Sequence, residues 1–212
     1  MSEILSQPRP EKTEAEIANQ VGRITSKLIE RANRLTSSRK DQSNNGWTHE
    51  SEFKDGDTTI STVRANADLA RSISVKQEND GGGQIEHSAL TNYRHDYGKD
   101  GAKEVYVGVM TNSSTDTEQG LKNEKRMNRF YNDTRVYSPP ESQLSVSELN
   151  KDGDNPLTAT YLKGERDKVA SSEVRKAAIS TSAETLGEIR QAIVNAEQNQ
   201  VQPEVVKPPQ AA

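Results

Sequence analysis

Residues 70–111, ARSISVKQENDGGGQIEHSALTNYRHDYGKDGAKEVYVGVMT, contain the clearest structural pattern in the chain. Within residues 84–97, every second side chain is apolar, aromatic, histidine or threonine, and most of those between are polar. Side chains alternate between the two faces of a strand, so this period of two predicts a strand with one buried face. The Asn-Asp-Gly-Gly-Gly run at 79–83 contains residues that tolerate the positive φ angles of tight turns. It predicts a hairpin to a second alternating segment at 71–78.

A third strand is predicted at 104–111, where three valines alternate with other residues after a turn at 98–101. Residues 57–64 alternate in the same way and add a fourth strand. The predicted fold is therefore α+β, with a small antiparallel meander of three to four strands covered by helices. Long terminal helices and disordered tails complete this prediction.

The composition agrees with a modest folded centre. Leu, Ile, Val and Phe together make about 17% of the 212 residues, below the roughly 20% under which packed cores become hard to build. The chain has no cysteine, which excludes disulfides and thiolate metal sites. No apolar run approaches the ~20 residues of a membrane span, and residues 1–10 lack the apolar core of a signal peptide. We therefore expect a soluble cytoplasmic protein, without a cofactor or a metal site.

Changes in composition along the chain predict its organisation. An amphipathic helix is expected near the N-terminus, beginning at a capping box formed by Thr13 and Glu16. A polar linker separates it from a core domain, which contains the sheet and a covering helix at 117–131. The predicted segments are a disordered 1–10, the helix at 11–35, the linker at 36–56, the core domain at 57–131, an irregular region with a short helix at 132–163, a helical region at 164–199 and a disordered tail at 200–212.

The two terminal helices carry apolar residues at the spacing of a coiled-coil seam. Such a narrow stripe buries its side chains against a partner or a second copy of the chain. The leading hypothesis is therefore a non-enzymatic module for protein–protein interaction or self-association. The predicted partner-binding residues are Ile17, Val21, Ile24, Leu28, Ile179, Leu186, Ile189 and Ile193.

Basic residues suggest an alternative, the binding of nucleic acid or another anionic ligand. They cluster on the first helix and on the helix predicted at 117–131. The sequence pI of about 5.6 is well below the basic range typical of nucleic-acid-binding domains. The candidate residues are Arg23, Lys27, Arg34, Lys122, Arg126 and Arg129.

A second alternative is a small hydrolase-like enzyme. His95 with Asp96 forms the densest group of titratable residues on the predicted middle strand, and in a cleft an imidazole acts as a general acid or base. The glycines at 81–83 join two strands, whereas a phosphate-binding loop joins a strand to a helix. No other catalytic motif is present, so the sequence favours a protein without catalytic activity.

Overall fold

The computed structural model describes residues 12–35, 43–44, 46–65, 70–96, 103–118, 120–131, 141–149, 156–163 and 172–201. Within these residues, nine strands lie between two helices in the order of the chain. Each strand pairs antiparallel with the next, so the strand order is β1-β2-β3-β4-β5-β6-β7-β8-β9 and the sheet is one continuous meander. The elements are α1 (Glu14–Ala32), β1 (Ser43–Asn44), β2 (Trp47–Asp55), β3 (Thr58–Ala65), β4 (Arg71–Glu78), β5 (Gln84–Asp96), β6 (Lys103–Thr117), β7 (Gly120–Tyr131), β8 (Glu141–Leu149), β9 (Pro156–Lys163) and α2 (Ser172–Val201).

Both helices pack on one face of the sheet, which we call the inner face, and the main hydrophobic core lies between the two layers. Alternate strand residues point into this core because side chains alternate across a strand. Each is at most 2% exposed. The inner-face core residues are Ile60, Ile73, Val75, Ala89, Val107, Val109 and Phe130.

The two helices run parallel to each other. The guanidinium of Arg175, near the start of α2, donates a hydrogen bond to the carbonyl oxygen of Lys12, just before α1. Near the two C-terminal ends, Arg31 makes a bidentate ion pair with Glu197, with an Nη2–Oε2 distance of 2.5 Å and an Nε–Oε1 distance of 3.1 Å. The N-terminal ends of the two helices therefore lie together, as do their C-terminal ends, so both helices point in the same direction.

Two local predictions are confirmed. Glu16 donates its backbone N–H to Thr13 Oγ1 at 3.3 Å and accepts the backbone N–H of Thr13 at 2.7 Å, which is the predicted capping box. The turn at 79–83 joins β4 to β5, with a 2.8 Å bond from Asn79 N–H to the Gly83 carbonyl. Gly82 has a φ of 77° there, as the turn requires.

The predicted size of the sheet is wrong. The sheet has nine strands, not three to four, although the α+β class and the meander order agree with the prediction. The segment predicted as a covering helix, 117–131, contains the last residue of β6 and strand β7, which pairs with β6 and β8. Its Lys, Glu and Arg residues have good helix propensity, but propensity is a weak prior that tertiary pairing overrides. The helices that cover the sheet are the two terminal ones.

Two other segments also differ from their predictions. The predicted linker at 36–56 contains β1 and β2, and the region expected to be irregular, 132–163, contains β8 and β9. Ser, Thr and Glu are common in these strands, so the apolar alternation in each is short. It is limited to Leu144 and Val146 in β8, and to Leu157, Ala159 and Tyr161 in β9. The predicted disordered tails lie outside the described residues, except for Gln200 and Val201, which end α2.

Two glycines within the helices differ in how closely other atoms approach them. A Cβ at Gly22 of α1 would lie 3.3 Å from Val107 Cγ1 in the sheet, so this glycine allows α1 to approach the sheet closely. A Cβ at Gly187 of α2 would meet nothing within 4 Å. Glycine in a helix costs about 1 kcal/mol relative to alanine. Only Gly187 therefore carries that cost without a packing reason.

We predict that Gly187→Ala raises the free energy of unfolding by about 0.5–1 kcal/mol. By contrast, Gly22→Val is expected to lower it by about 1–3 kcal/mol, because the added methyls force α1 away from Val107. Urea denaturation of both variants beside the wild type measures these changes. Equal shifts in the same direction would contradict the difference in environment.

Candidate functional site

The structure places six of the eight predicted partner-binding residues in the core of the chain itself. Ile17, Val21, Leu28, Leu186, Ile189 and Ile193 are each at most 7% exposed. The other two, Ile24 on α1 and Ile179 on α2, are 37% and 38% exposed, and are the exposed large apolar side chains of the described residues. The two helical seams thus pack mainly on the sheet, and their apolar surface reaches solvent at one residue on each helix.

Ile24 and Ile179 line the same groove, which lies between the N-terminal halves of α1 and α2 and has a volume of about 500 Å³. Its floor includes Phe130 of β7, which is fully buried beneath the two helices. Small residues, Ala183 and Gly187, widen it on the α2 side. The large apolar residues that line the groove are Ile17, Val21, Ile24, Phe130, Ile179 and Leu186.

Four cations also line the groove: Lys12, Arg175, Lys176 and Arg190. No described residue that lines it is acidic. The Lys12 ammonium donates a 2.6 Å hydrogen bond to Gln20 Oε1. The groove therefore combines an apolar interior with a positively charged rim.

Two carboxylates at the start of α1 moderate this charge. Glu16 interacts electrostatically with Lys12. Glu14 interacts electrostatically with Arg175, and its Oε1 accepts the backbone N–H of Tyr131 at 3.1 Å. Burial raises the pKa of the Glu14 carboxyl above its ordinary value, partly offset by that hydrogen bond and by Arg175. Neither carboxylate lines the groove, so the charged residues of its described lining are all basic.

The six basic residues predicted to bind an anion do not form one surface. Arg23 and Lys27 are exposed on α1, as expected, and Arg34 is exposed just after its C-cap. Lys122, Arg126 and Arg129 lie on strand β7, so the second basic helix of the prediction does not exist. Alternation places Lys122 and Arg126 toward the inner face, whereas the Arg129 guanidinium lies 5.0 Å from the centre of the Tyr106 ring on the opposite, outer face.

His95 and Asp96 lie at the end of β5, where the backbone pairs them with Glu104 and Lys103 of β6. The side chains of both residues are outside the described part of the structure. A bulge between Leu90 and Tyr93 precedes them, and Asn92 has a positive φ of 38° within it. The extra residue moves Tyr93 to the outer face, away from the inner face that His87 shares with Ala89.

Tyr93 belongs to an aromatic row on the outer face. Its ring stacks on Trp47, with centroids 6.4 Å apart and planes within 5°, and lies 5.2 Å from the Tyr106 ring. Tyr106 in turn contacts Tyr131 at 5.9 Å. A shallow depression of about 270 Å³ adjoins this row, lined mainly by apolar side chains including Met110 and Met127. The rings pack on one another in a row along the outer face of the sheet.

His87 lies in a polar cluster between the sheet and α2. Its Nδ1 is 3.1 Å from Thr111 Oγ1, which is 2.8 Å from Thr185 Oγ1 on α2. His87 is 9% exposed. Burial lowers the pKa of His87 below its ordinary value, and the charge of Glu188 only partly opposes this. The His87 imidazole is thus a buried, hydrogen-bonded group between the sheet and α2.

Among the described residues, no group of three or more His, Asp or Glu side chains is arranged to hold a metal ion. None of the helices in this part of the chain is both long and apolar enough to cross a membrane.

Five residues of the groove were predicted from the sequence as partner-binding, but the basic residues of α2 and Phe130 were not. The five are Ile17, Val21, Ile24, Ile179 and Leu186. A usable signal is present, since Lys176, Ile179, Ala183, Leu186 and Arg190 recur at steps of three and four residues. This spacing places them on one helical stripe with a cation at each end. Phe130 carries no such signal, because only the fold brings β7 beneath the helices.

We predict that His87 makes stability fall as the pH drops. Because its pKa is lower in the folded state, the unfolded chain takes up the proton first, so stability is lost as the pH falls through the unfolded value of about 6.5. His87→Gln should therefore lose less unfolding free energy than the wild type between about pH 7.5 and pH 5.5. Urea denaturation at both pH values measures this, and an equal loss in both proteins would exclude His87 as the cause.

The sequence matches no protein-family model, and comparisons with curated proteins and with solved structures likewise find no match, so function is argued from the geometry of this chain.

Proposed function

We propose that this protein is a non-enzymatic binding module whose binding surface is the groove between α1 and α2. One observation carries the proposal: exposed apolar side chains and four cations share the lining of this groove, without an acidic residue among the described ones. Burial of apolar surface contributes a favourable free energy of about 25 cal/mol per Å². A positive rim favours a negatively charged group. The occupant is therefore an amphiphile with an apolar part and a negative charge.

This proposal makes the two leading expectations from the sequence more specific about where the binding surface lies. A partner reaches the six buried seam residues only if the helices leave the sheet, so the docking surface within the folded chain is the groove that Ile24 and Ile179 share. As in the second expectation, the proposed ligand is anionic, but the cations that bind it are those that line the groove. The hydrolase-like activity around His95 and the cytoplasmic location stay predictions.

The volume of the groove supports a ligand site. Pockets that bind small molecules measure about 300–1,000 Å³ and combine a mainly apolar lining with a few polar groups. The groove has about 500 Å³, with Gln20 and Ser182 as its uncharged polar residues. Phe130, Val21 and Leu186 are already packed, at 0%, 7% and 6% exposure, so binding requires little rearrangement of its floor.

The test uses the fluorescent anion anilinonaphthalene sulfonate, which joins an apolar ring system to a negative charge. We expect saturable binding to the native chain, weakened at least about tenfold by Ile24→Glu or Ile179→Glu, because each places a carboxylate in the apolar lining. Arg190→Glu should weaken binding about three- to tenfold through charge reversal at the rim. Arg23→Glu is the matched control, since Arg23 is exposed on α1 but does not line the groove.

Circular dichroism of each variant establishes that the fold is retained. Equal weakening by Arg190→Glu and Arg23→Glu would contradict the proposal, because it would mean that net charge alone drives binding. Unchanged probe binding in both isoleucine variants would place the site elsewhere on the molecule.

A further inference from the structure

We infer that the groove holds a single unbranched acyl chain ending in a carboxylate, as in a long-chain fatty acid. This inference rests on the proposed function and names the class of its ligand. It depends on the shape of the groove, on the order of charges along it, and on a glycine that leaves part of it open.

The groove runs along both helices. Its lining on α2 extends from Arg175 to Arg190, which at 1.5 Å per residue is roughly 22 Å. One extended hydrocarbon chain can lie along a trench of this length, with its methylenes on the apolar lining.

The charges are ordered along the trench. Three of the four cations, Lys12, Arg175 and Lys176, belong to the chain segments at the N-terminal ends of the two helices, and the fourth, Arg190, lies toward the other end of the trench. Because the helices are parallel, the positive ends of both helix dipoles also lie at the first end. The carboxylate is therefore assigned to the side of Lys12, Arg175 and Lys176. The hydrocarbon follows the apolar lining toward Gly187.

Gly187 provides a way to fill the trench without unfolding the protein. It lines the groove, and a Cβ there would meet nothing within 4 Å. A leucine at this position extends into the space assigned to the acyl chain, while its helix propensity is higher than that of glycine. Gly187→Leu thus separates loss of binding from loss of stability. Gly187→Ala is the matched control, with a similar gain in propensity and little added volume.

The experiment measures binding of octanoate, decanoate, dodecanoate and hexadecanoate to the full chain by titration calorimetry, below their micelle concentrations. We expect one molecule per chain and an affinity that rises about fourfold per added methylene until the trench is full. Gly187→Leu should abolish binding of the longer acids, and Gly187→Ala should retain most of it. Lys176→Glu should weaken binding several-fold, whereas Arg23→Glu should leave it unchanged.

Two further ligands make the result decisive. Dodecyltrimethylammonium has a similar chain with a cationic head, so binding as tight as that of dodecanoate would overturn the assignment of a carboxylate. The second ligand is an acidic amphipathic peptide. If this peptide displaces anilinonaphthalene sulfonate and no fatty acid does so, the assignment of an acyl chain is wrong and the groove binds a protein partner. If the fluorescent anion binds and neither the acids nor the peptide compete, the inference fails but the proposed function stands. If nothing binds, both fail.

Discussion

The structure depends on the packing of two narrow apolar stripes, one on α1 and one on α2, against the inner face of the sheet. Inner-face residues such as Ile73, Val107 and Phe130 are fully buried only because the helices cover them. With few large apolar residues in the chain, this layer contains the main hydrophobic core of the described residues. Gly22 lets α1 approach Val107 closely, which increases the area of contact. An antiparallel sheet with one covered face and one open face is the general outcome of such a pattern.

Polar side chains within the same interface fix how the helices sit on the sheet. Asn128 of β7 donates to Thr181 Oγ1 and Ser182 Oγ at 2.9 Å and 3.0 Å. Asn33, the C-cap of α1, accepts bonds from Ser51 and Thr62 through its Oδ1. Buried polar groups are costly unless they are hydrogen-bonded, so a shift of either helix would leave these groups without partners. The network therefore favours one position of the helices on the sheet over positions shifted along it.

The groove is a consequence of this arrangement. The stripes are anchored on the sheet along their lengths, and the Arg31–Glu197 ion pair joins the helices near their C-terminal ends. In the N-terminal halves, Ala183 and Gly187 of α2 face the groove with almost no side-chain volume. Space therefore remains above Phe130, and Ile24 and Ile179 stay partly exposed on either side of it. The chain has few large apolar residues. This limits the size of the core and also leaves the apolar groove at the surface unfilled.

Local patterns in the sequence predicted β4, β5, the turn between them and the start of α1, because each depends on neighbours within a few residues. They could not predict β7 or β8, whose polar residues become strands only through pairing with adjacent strands of the meander. The sequence also marked Ile24 and Ile179 as seam residues, yet it could not distinguish them from the six that are buried. Only the tertiary structure decides that difference, because exposure depends on which side of each helix the sheet covers. The groove joins Lys12, Phe130 and Arg190, which are far apart in the chain, and no local periodicity contains that information.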